Sequence, residues 1–316
     1  MQRVLALTGG VGGAKLALGL ADLPAEVELH LLVNTGDDFN HLGLHISPDI
    51  DTLLYTLAGI ANAAQGWGLE GESFHALEAL GRLGGETWFR LGDRDLATHL
   101  WRSQRLAGGD TLAAVTTELA RRLGVVPRVY PMTDDSVRTT VHCAARSLPF
   151  QHYFVRERCE PAVSGFSYSG IEEARPNAEV MSLLADGYFS RVIICPSNPF
   201  VSIDPILQVP GLWSALRDTE APVTLVSPIV AGRALKGPTA KMMSELGVPT
   251  TAAGVAAHYQ RGYPGLLTHF VLDSSDAKLS AEIAAQGVQV VTAETVMHNR
   301  EDKRRLARAL VQLEHS

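Results

Sequence analysis

The opening run Arg3-Val4-Leu5-Ala6-Leu7-Thr8-Gly9-Gly10-Val11-Gly12-Gly13-Ala14-Lys15-Leu16 predicts a buried strand, a glycine turn and the start of a helix. Glycines let the backbone approach an oxyanion closely, and a helix beginning near Gly13 would point unpaired N–H groups at the same place. Lys15 could add a full positive charge. A tight βα turn without a ligand is the simpler alternative. The turn favours a phosphate site formed by Gly9, Gly10, Gly12 and Gly13.

The same turn departs from the common nucleotide-binding motifs. Matched to G-x-G-x-x-G it begins at Gly10 and Gly12, but Lys15 occupies the place of the third glycine, which normally packs helix against strand. It also lacks the G-K-[S/T] of a Walker loop. The second predicted strand, 27–33, ends without a single acid placed for a ribose hydroxyl. A nicotinamide-dependent oxidoreductase is therefore disfavoured, and the turn alone does not say which phosphate it binds.

Composition limits the class of protein further. The chain has 316 residues and a formal net charge of −7, which argues against a nucleic-acid surface. Cys143, Cys159 and Cys195 show no C-x-x-C spacing, so neither zinc nor structural disulfides are expected. This usage fits a reducing cytoplasm. Met1-Gln2-Arg3 is followed at once by a short strand, so no targeting signal or membrane span is expected.

Strand and helix patterns alternate along the whole chain, which predicts an α/β fold with a mostly parallel sheet and helices on both faces. We expect a single domain over 1–316, with a core formed by 1–49 and 125–316 and an α-helical insertion at about 50–124. After the first strand, the predicted strands are 27–33, 125–130, 139–145, 164–169, 191–195, 222–227, 266–272 and 288–291. The predicted helices are 14–22, 53–61, 74–83, 95–105, 111–123, 150–156, a segment ending at 245, 250–259, 277–286 and 300–313.

Four aspartates lie within fifteen positions after the second strand. Asp37 and Asp38 follow the strand directly, and adjacent carboxylates repel each other unless a cation or solvent relieves them. Oxygen ligands of this kind suit Mg²⁺. Asp49 and Asp51 begin the next helix, where acids also serve as caps. A metal site is therefore predicted at Asp37 and Asp38, and capping stays an alternative for Asp49 and Asp51.

Three further loops carry polar or aromatic side chains. The run 88–95 begins with Trp88 and Arg90, which could hold a planar ring or an anion, although core packing is the commoner fate of an aromatic residue. Ser197 and Asn198 follow the strand 191–195 in a proline-rich loop, which is either a site or a plain connection. Arg233 and Lys236 could meet an anion or be solvated surface cations.

The order of these motifs resembles the 2-phospho-L-lactate transferase (CofD) family of coenzyme F-420 biosynthesis over nearly the whole chain. Several spaced motifs in one order are specific, whereas the glycine turn alone would not be. The matching segments are G-G-x-G-G-A-K at 9–15, N-T-G-D-D at 34–38, S-P-D-I-D-T at 47–52, L-G-D-R-D at 91–95, S-N-P at 197–199 with Ser202-Ile203, and S-P-I at 227–229 with Gly237-Pro238.

The resemblance implies a Rossmann-like core and a transferase. Such an enzyme moves a phospholactate, phosphoenolpyruvate or phosphoglycerate unit from a guanosine diphosphate donor, such as lactyl-2-diphospho-5'-guanosine, to the deazaflavin Fo. GMP is released, and (dehydro)coenzyme F-420-0 or its glycerate analogue is formed. The resemblance also implies Mg²⁺ as cofactor, a cytoplasmic location and a homodimer. The motifs do not decide which acid the donor carries.

The same resemblance assigns roles to the matching residues. Asp37 would coordinate the metal, with Asp38 as a helper, while the four glycines and Lys15 would hold the diphosphate. Asp51 would contact the Fo hydroxyl as positioner or base, so Asp37 and Asp51 are the expected catalytic residues. Substrate contacts are expected further along the chain: Ser197 and Asn198 on the guanosine side, and Trp88 and Arg90 near the deazaflavin.

A non-catalytic, nucleotide-sugar-binding regulator of the CofD-like superfamily is the main alternative, because it would share the glycine turn and the fold. The motifs at 91–95 and 197–203 favour the transferase. Failure to consume any guanosine diphosphate donor would favour the regulator. Fold analogy alone does not choose between the two.

Overall fold

The computed structural model describes residues 1–63, 65–234 and 237–313. Its strands, in chain order, are β1 (Gln2–Thr8), β2 (Val27–Val33), β3 (Phe39–His41), β4 (Leu44–Ile46), β5 (Arg128–Pro131), β6 (Arg138–Cys143), β7 (Ser147–Pro149), β8 (Val163–Ser169), β9 (Arg191–Ile194), β10 (Val223–Val226), β11 (Ile229–Val230), β12 (Arg233–Ala234), β13 (His269–Asp273) and β14 (Gln289–Ala293).

Helices occupy most of the remaining chain. The α-helices are α1 (Gly10–Ala21), α2 (Pro48–Leu57), α3 (His75–Arg82), α4 (Asp93–Ala107), α5 (Leu112–Arg122), α6 (Ala178–Ala185), α7 (Asp204–Leu207), α8 (Leu212–Arg217), α9 (Thr239–Glu245), α10 (Ala252–Gly262), α11 (Ser280–Ala284) and α12 (Arg300–Val311). Two π-helical turns cover His152–Arg156 and Pro199–Ile203, and two 3₁₀ turns cover Ile171–Glu173 and Ser274–Leu279.

The central sheet confirms the predicted parallel α/β architecture. Within the described ranges it has seven strands in the order β14-β13-β10-β9-β1-β2-β5, and each neighbouring pair is parallel. From β1 the chain builds the sheet first toward β5 and later toward β14. The order therefore reverses between β1 and β9, and in open parallel sheets ligands bind at such a switch point.

Each face of the sheet has its own core, because successive side chains of a strand point to opposite faces. Val4 and Ala6 of β1 enter a core shared with α1, α2, α5 and α12. Leu5 and Leu7 enter a second core shared with α6, α8 and α10. Helices on both faces were predicted and are confirmed. In the part of the chain that the structure describes, no helix is long and apolar enough to cross a membrane.

Several boundaries differ from the predicted ones. Helix α1 begins at Gly10 rather than near Gly13, with the extended Gly9 as N-cap. Helix α2 begins at Pro48 and ends at Leu57, because proline fits the first helical position and Gly59 turns the chain at a φ of +71°. The predicted helix 277–286 is a 3₁₀ turn followed by the shorter α11. Outside the central sheet, β6 pairs antiparallel with β7 and β8.

Helices α1 and α12 approach closely at Gly19. A Cβ added there would lie 2.3 Å from the Lys303 carbonyl oxygen, which is helix backbone and has little freedom to shift. We expect Gly19→Ala to lower the free energy of unfolding by about 1–3 kcal/mol, measured by urea denaturation. Gly262→Ala in α10 is the matched control, since its Cβ would meet nothing within 4 Å. Equal stability of the two variants would contradict this packing.

His30 on β2 predicts a pH-dependent contribution to stability. Burial lowers its pKa from the usual 6.5, and Glu28 opposes this only in part. The unfolded chain then binds the proton more tightly, so the contribution is complete above about pH 6.5 and is lost as the pH falls. Relative to His30→Gln, we expect the wild type to lose at most about 1.4 kcal/mol per pH unit between pH 6.5 and 5. A constant difference in unfolding free energy would contradict this.

Candidate functional site

The glycine turn lies at the switch point between β1 and β9. The Ser197 hydroxyl donates to the Gly9 carbonyl oxygen at 2.8 Å, so the loops after the two strands are joined. A Cβ on Gly12 would lie 2.4 Å from the Pro196 carbonyl oxygen, and one on Gly13 would lie 2.1 Å from Thr8 Oγ1. Only glycine fits these two positions without displacing neighbours. The N-terminus of α1 is thereby held in the crevice where a phosphate would bind.

Asp49 organises this turn, which the sequence did not indicate. Its Oδ1 accepts a hydrogen bond from the Gly10 N–H at 2.8 Å, and its Oδ2 accepts one from Asn34 Nδ2 at 2.9 Å. Asn34 Nδ2 also donates to the Val201 carbonyl oxygen at 3.0 Å. Burial raises the pKa of Asp49 to about 6, although these hydrogen bonds oppose the rise. Asp49 thus joins three loops rather than only beginning its own helix.

Asp37 and Asp38 lie together at the end of β2 and are 5% and 2% exposed. Asp38 Oδ2 accepts hydrogen bonds from Ser47 Oγ at 2.8 Å and from His45 at 3.0 Å. The Oδ1 atoms of both aspartates are buried without a hydrogen-bond partner. Burial, and then the charges of Asp49 and Asp38, raise the pKa of Asp37 well above its usual range. Two buried oxygens are thus available to a cation.

These oxygens fit Mg²⁺. In the described residues, no three His, Cys, Asp or Glu side chains gather into a ready metal cluster. Mg²⁺ is often held by one or two carboxylates, with substrate phosphates and water as the other ligands. Asp37 and Asp38 match that set beside a predicted phosphate site. Two more buried hydroxyls in this part of the chain have no partner, those of Thr35 and Thr139.

Asp51 is not a simple helix cap. It is 5% exposed and is held by Arg102 of α4, which is 1% exposed. Arg102 Nη1 donates to Asp51 Oδ2 at 3.1 Å, and Nη2 donates to Oδ1. Although burial alone would lower the pKa of Arg102, the charge of Asp51 raises it above its usual value. The predicted role of Asp51 toward Fo stays a prediction, and its immediate partner is a buried guanidinium.

Trp88 belongs to an aromatic cluster that begins next to Asp38. Its ring centroid lies 5.0 Å from that of His41 and 4.7 Å from that of His152. Phe39, the residue after Asp38, lies 6.2 Å from Trp88. The Nε1 of Trp88 and the Nε2 of His41 are buried without partners. An aromatic wall with two unpaired polar atoms therefore stands beside the carboxylate pair, which suits a planar heterocycle.

Arg90 turns away from this cluster, since its guanidinium carbon lies 4.3 Å from the ring centroid of Phe74. Lys15 Nζ donates to the Met297 carbonyl oxygen at 3.3 Å, on the α1 helix face. The described contacts therefore do not bring Arg90 or Lys15 to Asp37. Their expected roles in binding the deazaflavin and the diphosphate stay predictions.

The loop after β9 carries the other predicted ligand residues. Asn198 Oδ1 accepts from the Phe200 N–H at 3.0 Å and so begins the π-helical turn Pro199–Ile203, while its Nδ2 lies 3.3 Å from Met242 Sδ. Asn198 is thus next to Ser197 at the switch point. Arg233 is exposed on β12, and Lys236 lies outside the described residues. Neither call on those two cations is decided here.

Two surface cavities lie elsewhere, at Asp204. Their volumes are about 850 and 410 Å³, and Asp204 lines both. Asp204 accepts hydrogen bonds from His258 and Tyr263, each at 3.0 Å, so it is already satisfied. The candidate site is therefore defined by its unpaired buried oxygens and glycine contacts rather than by cavity size.

The fold and the site together define a Rossmann-like α/β protein that places a helix N-terminus, a carboxylate pair and an aromatic wall at one switch point. The family model for "2-phospho-L-lactate transferase CofD" matches residues 4–313. The chain belongs to this family, and it is a transferase of the 2-phospho-L-lactate transferase class in coenzyme F-420 biosynthesis. The predicted family and enzyme class are confirmed.

Similar proteins have been named more narrowly. A phosphoenolpyruvate transferase of Streptomyces coelicolor is 39% identical over 91% of this chain and 90% of its own length. One from Nocardia farcinica is 40% identical over 93% of this chain and 90% of its own. A crystal structure of a UPF0052 family member from Bacillus halodurans covers 98% of this chain and 99% of its own, with a TM-score of 0.65 and 15% identity. That likeness concerns the fold alone.

Proposed function

We propose that this enzyme transfers a phosphoenolpyruvate unit from a guanosine diphosphate donor to Fo and releases GMP. The observation that carries the proposal is the pair of buried, unpaired Oδ1 atoms of Asp37 and Asp38, at the switch point that also holds the glycine turn. Among the three acids that the family resemblance allows, enolpyruvate is favoured by the names of relatives up to 40% identical.

The diphosphate would lie at the N-terminus of α1, where backbone N–H groups and the helix dipole favour negative charge. Gly12 and Gly13 keep the loop after β9 close to this turn, because no side chain stands between them. Ser197 and Asn198 of that loop would contact the guanosine side. The donor's phosphorus would thereby be held between the glycine turn and the aspartates.

In the transfer, the oxygen of the terminal ribityl hydroxyl of Fo forms a bond to the β-phosphorus, which carries the enolpyruvate. The bond from that phosphorus to the bridging oxygen breaks, and GMP leaves with it. Asp51 would accept a hydrogen bond from the attacking hydroxyl and so direct its lone pair. Asp37 and Asp38 would hold Mg²⁺, which when bound would neutralise charge on the diphosphate.

The ring of Fo would lie against the wall formed by Trp88, His41 and Phe39. Trp88 Nε1 is a buried donor without a partner, so a carbonyl oxygen of the deazaflavin would satisfy it. The wall starts at Phe39, the residue after Asp38. The ring and the reacting hydroxyl would therefore lie on the same side of the carboxylate pair.

A mass-spectrometric transfer assay tests this proposal. Purified protein is incubated with Fo and Mg²⁺, and in parallel with the lactyl, enolpyruvyl and glyceryl guanosine diphosphate donors. We expect the enolpyruvyl donor to give the highest kcat/KM, with one GMP for each product molecule. Preference for another donor would correct the acid alone. A folded protein that binds the nucleotide but consumes none of the donors would be the non-catalytic regulator.

The family resemblance also supports a homodimer. Light scattering coupled to size-exclusion chromatography would give a mass near twice 33.9 kDa if the proposal is right. A mass near 33.9 kDa at the concentration of the transfer assay would make the active species a monomer.

A further inference from the structure

A buried charged network lies directly behind Asp51. It comprises two residues of α2, Asp51 and Tyr55, and three residues of α4, Asp95, His99 and Arg102. All five are less than a tenth exposed. The spacings i, i+4 and i+7 place the α4 residues on one helix face, and Asp51 and Tyr55 are likewise i and i+4 on α2. Burial of so many charges is costly unless each is paired, so the pairing is a built feature.

The contacts run in a chain from Asp51 to Asp95. Arg102 holds both oxygens of Asp51, and its Nη1 also lies 3.2 Å from His99 Nδ1. Because guanidinium only donates, Nδ1 of His99 must be the acceptor. Neutral His99 then carries its hydrogen on Nε2, which lies 3.3 Å from Asp95 Oδ1, within ion-pair distance but not aligned as a hydrogen bond. Tyr55 donates to the same Asp95 oxygen at 2.7 Å.

This arrangement fixes the direction of one carboxylate. A two-point contact with guanidinium sets the plane of the Asp51 carboxylate and leaves its outer lone pairs for another donor. The Asp95 carboxylate and Tyr55 set the tautomer of His99, and His99 in turn holds Arg102. Burial opposes the ionised form of Asp95, but hydrogen bonds from His99 and Tyr55 lower its pKa below the usual value. Asp95 therefore stays a charged anchor at neutral pH.

We propose that His99 and Arg102 are positioning residues, which hold Asp51 so that it accepts the hydrogen bond of the attacking hydroxyl. The proposal rests on the proposed function, because Asp51 meets an acceptor substrate only there. A displacement of about 1 Å in such a contact can cost on the order of a hundredfold in rate. The network would therefore act on kcat through Asp51, and hardly on donor affinity.

Conservative variants distinguish positioning from mere support of the fold. Arg102→Lys keeps the charge but not the two-point contact, and we expect kcat to fall by about 10- to 100-fold while the Kd for the donor stays within threefold. His99→Leu should behave similarly. His99→Asn should recover much of the lost kcat, since its amide oxygen can accept from Arg102 where Nδ1 did. His75→Leu, at an exposed site on α3, is the control and should match the wild type.

A double-mutant cycle gives the decisive readout. If Arg102 acts through Asp51, then adding Arg102→Lys to Asp51→Asn should lower kcat no further. Independent, multiplicative losses would overturn the proposal, as would wild-type kcat in folded Arg102→Lys. Thermal unfolding and donor binding measured on each variant separate misfolding from misplacement. If the wild type itself makes no product, the proposed function fails and this inference fails with it, whereas an active wild type with unaffected variants rejects only the positioning role.

Discussion

Asp37→Asn should lower turnover by about a hundredfold or more and weaken its response to Mg²⁺, while the protein becomes slightly more stable. The loss follows from removing a charged oxygen that would hold the metal against the diphosphate. The gain follows from burial, because Asp37 lies among other carboxylates and has an unpaired Oδ1. Without Mg²⁺, the free energy of unfolding should rise by about 0.5–2 kcal/mol. Steady-state kinetics across Mg²⁺ concentrations and urea denaturation measure the two effects.

The opposite signs are the useful feature of this variant. Asp218→Asn is a suitable control, because its carboxylate is exposed and pairs only with the neighbouring Arg217. We expect that control to change neither turnover nor the Mg²⁺ response. Near-normal kinetics in Asp37→Asn would remove Asp37 as the metal ligand. Unfolding of the variant would instead mean that Asp37 supports the fold.

Asp49→Ala should destabilise the protein and weaken donor binding together. It leaves the Gly10 N–H and one bond of the Asn34 amide without an acceptor, and each buried unsatisfied donor costs about 1–3 kcal/mol. Relief of repulsion with Asp37 offsets part of this. We expect a net loss of about 2–4 kcal/mol in unfolding free energy. Donor affinity should fall more than tenfold, measured by calorimetric titration, because the N-terminus of α1 is no longer fixed.

Asp49→Asn is the matched variant for this site. Its amide oxygen can replace one acceptor, but its NH₂ group would then face a second donor, so the loss should be intermediate. Full stability and normal donor affinity in Asp49→Ala would show that the glycine turn holds its shape without this contact. That result would return Asp49 to the role of an ordinary residue in the first turn of α2.

The parallel sheet and the place of the site could be predicted because their signals are local. The strand 27–33 was predicted with its observed bounds, since its buried run is bounded by turn residues on both sides. Asp37 and Asp38 follow that strand directly, and carboxyl ends of neighbouring parallel strands meet at one edge. The glycines of the turn also have a local signature, because each is needed within the same few residues.

The remaining features depend on contacts between distant segments. Asp49 caps α1 from thirty-nine positions away, so its position in the sequence indicated only a cap for its own helix. Asp51 meets Arg102 because α4 packs beside α2, and no periodicity within either helix shows which residues will face each other. Lys15 looked like a phosphate ligand, yet its Nζ donates to Met297, near the other end of the chain. Long-range packing decides all three.

The most direct test of the central claim follows the phosphorus. A donor labelled with ¹⁸O on the nonbridging oxygens of the β-phosphate is incubated with Fo, Mg²⁺ and the enzyme, and both products are weighed by mass spectrometry. The account predicts that the label appears in the deazaflavin product and that GMP is unlabelled, in a one-to-one ratio. Labelled guanosine product, or an Fo that remains unmodified while the donor stays bound and intact, would contradict it.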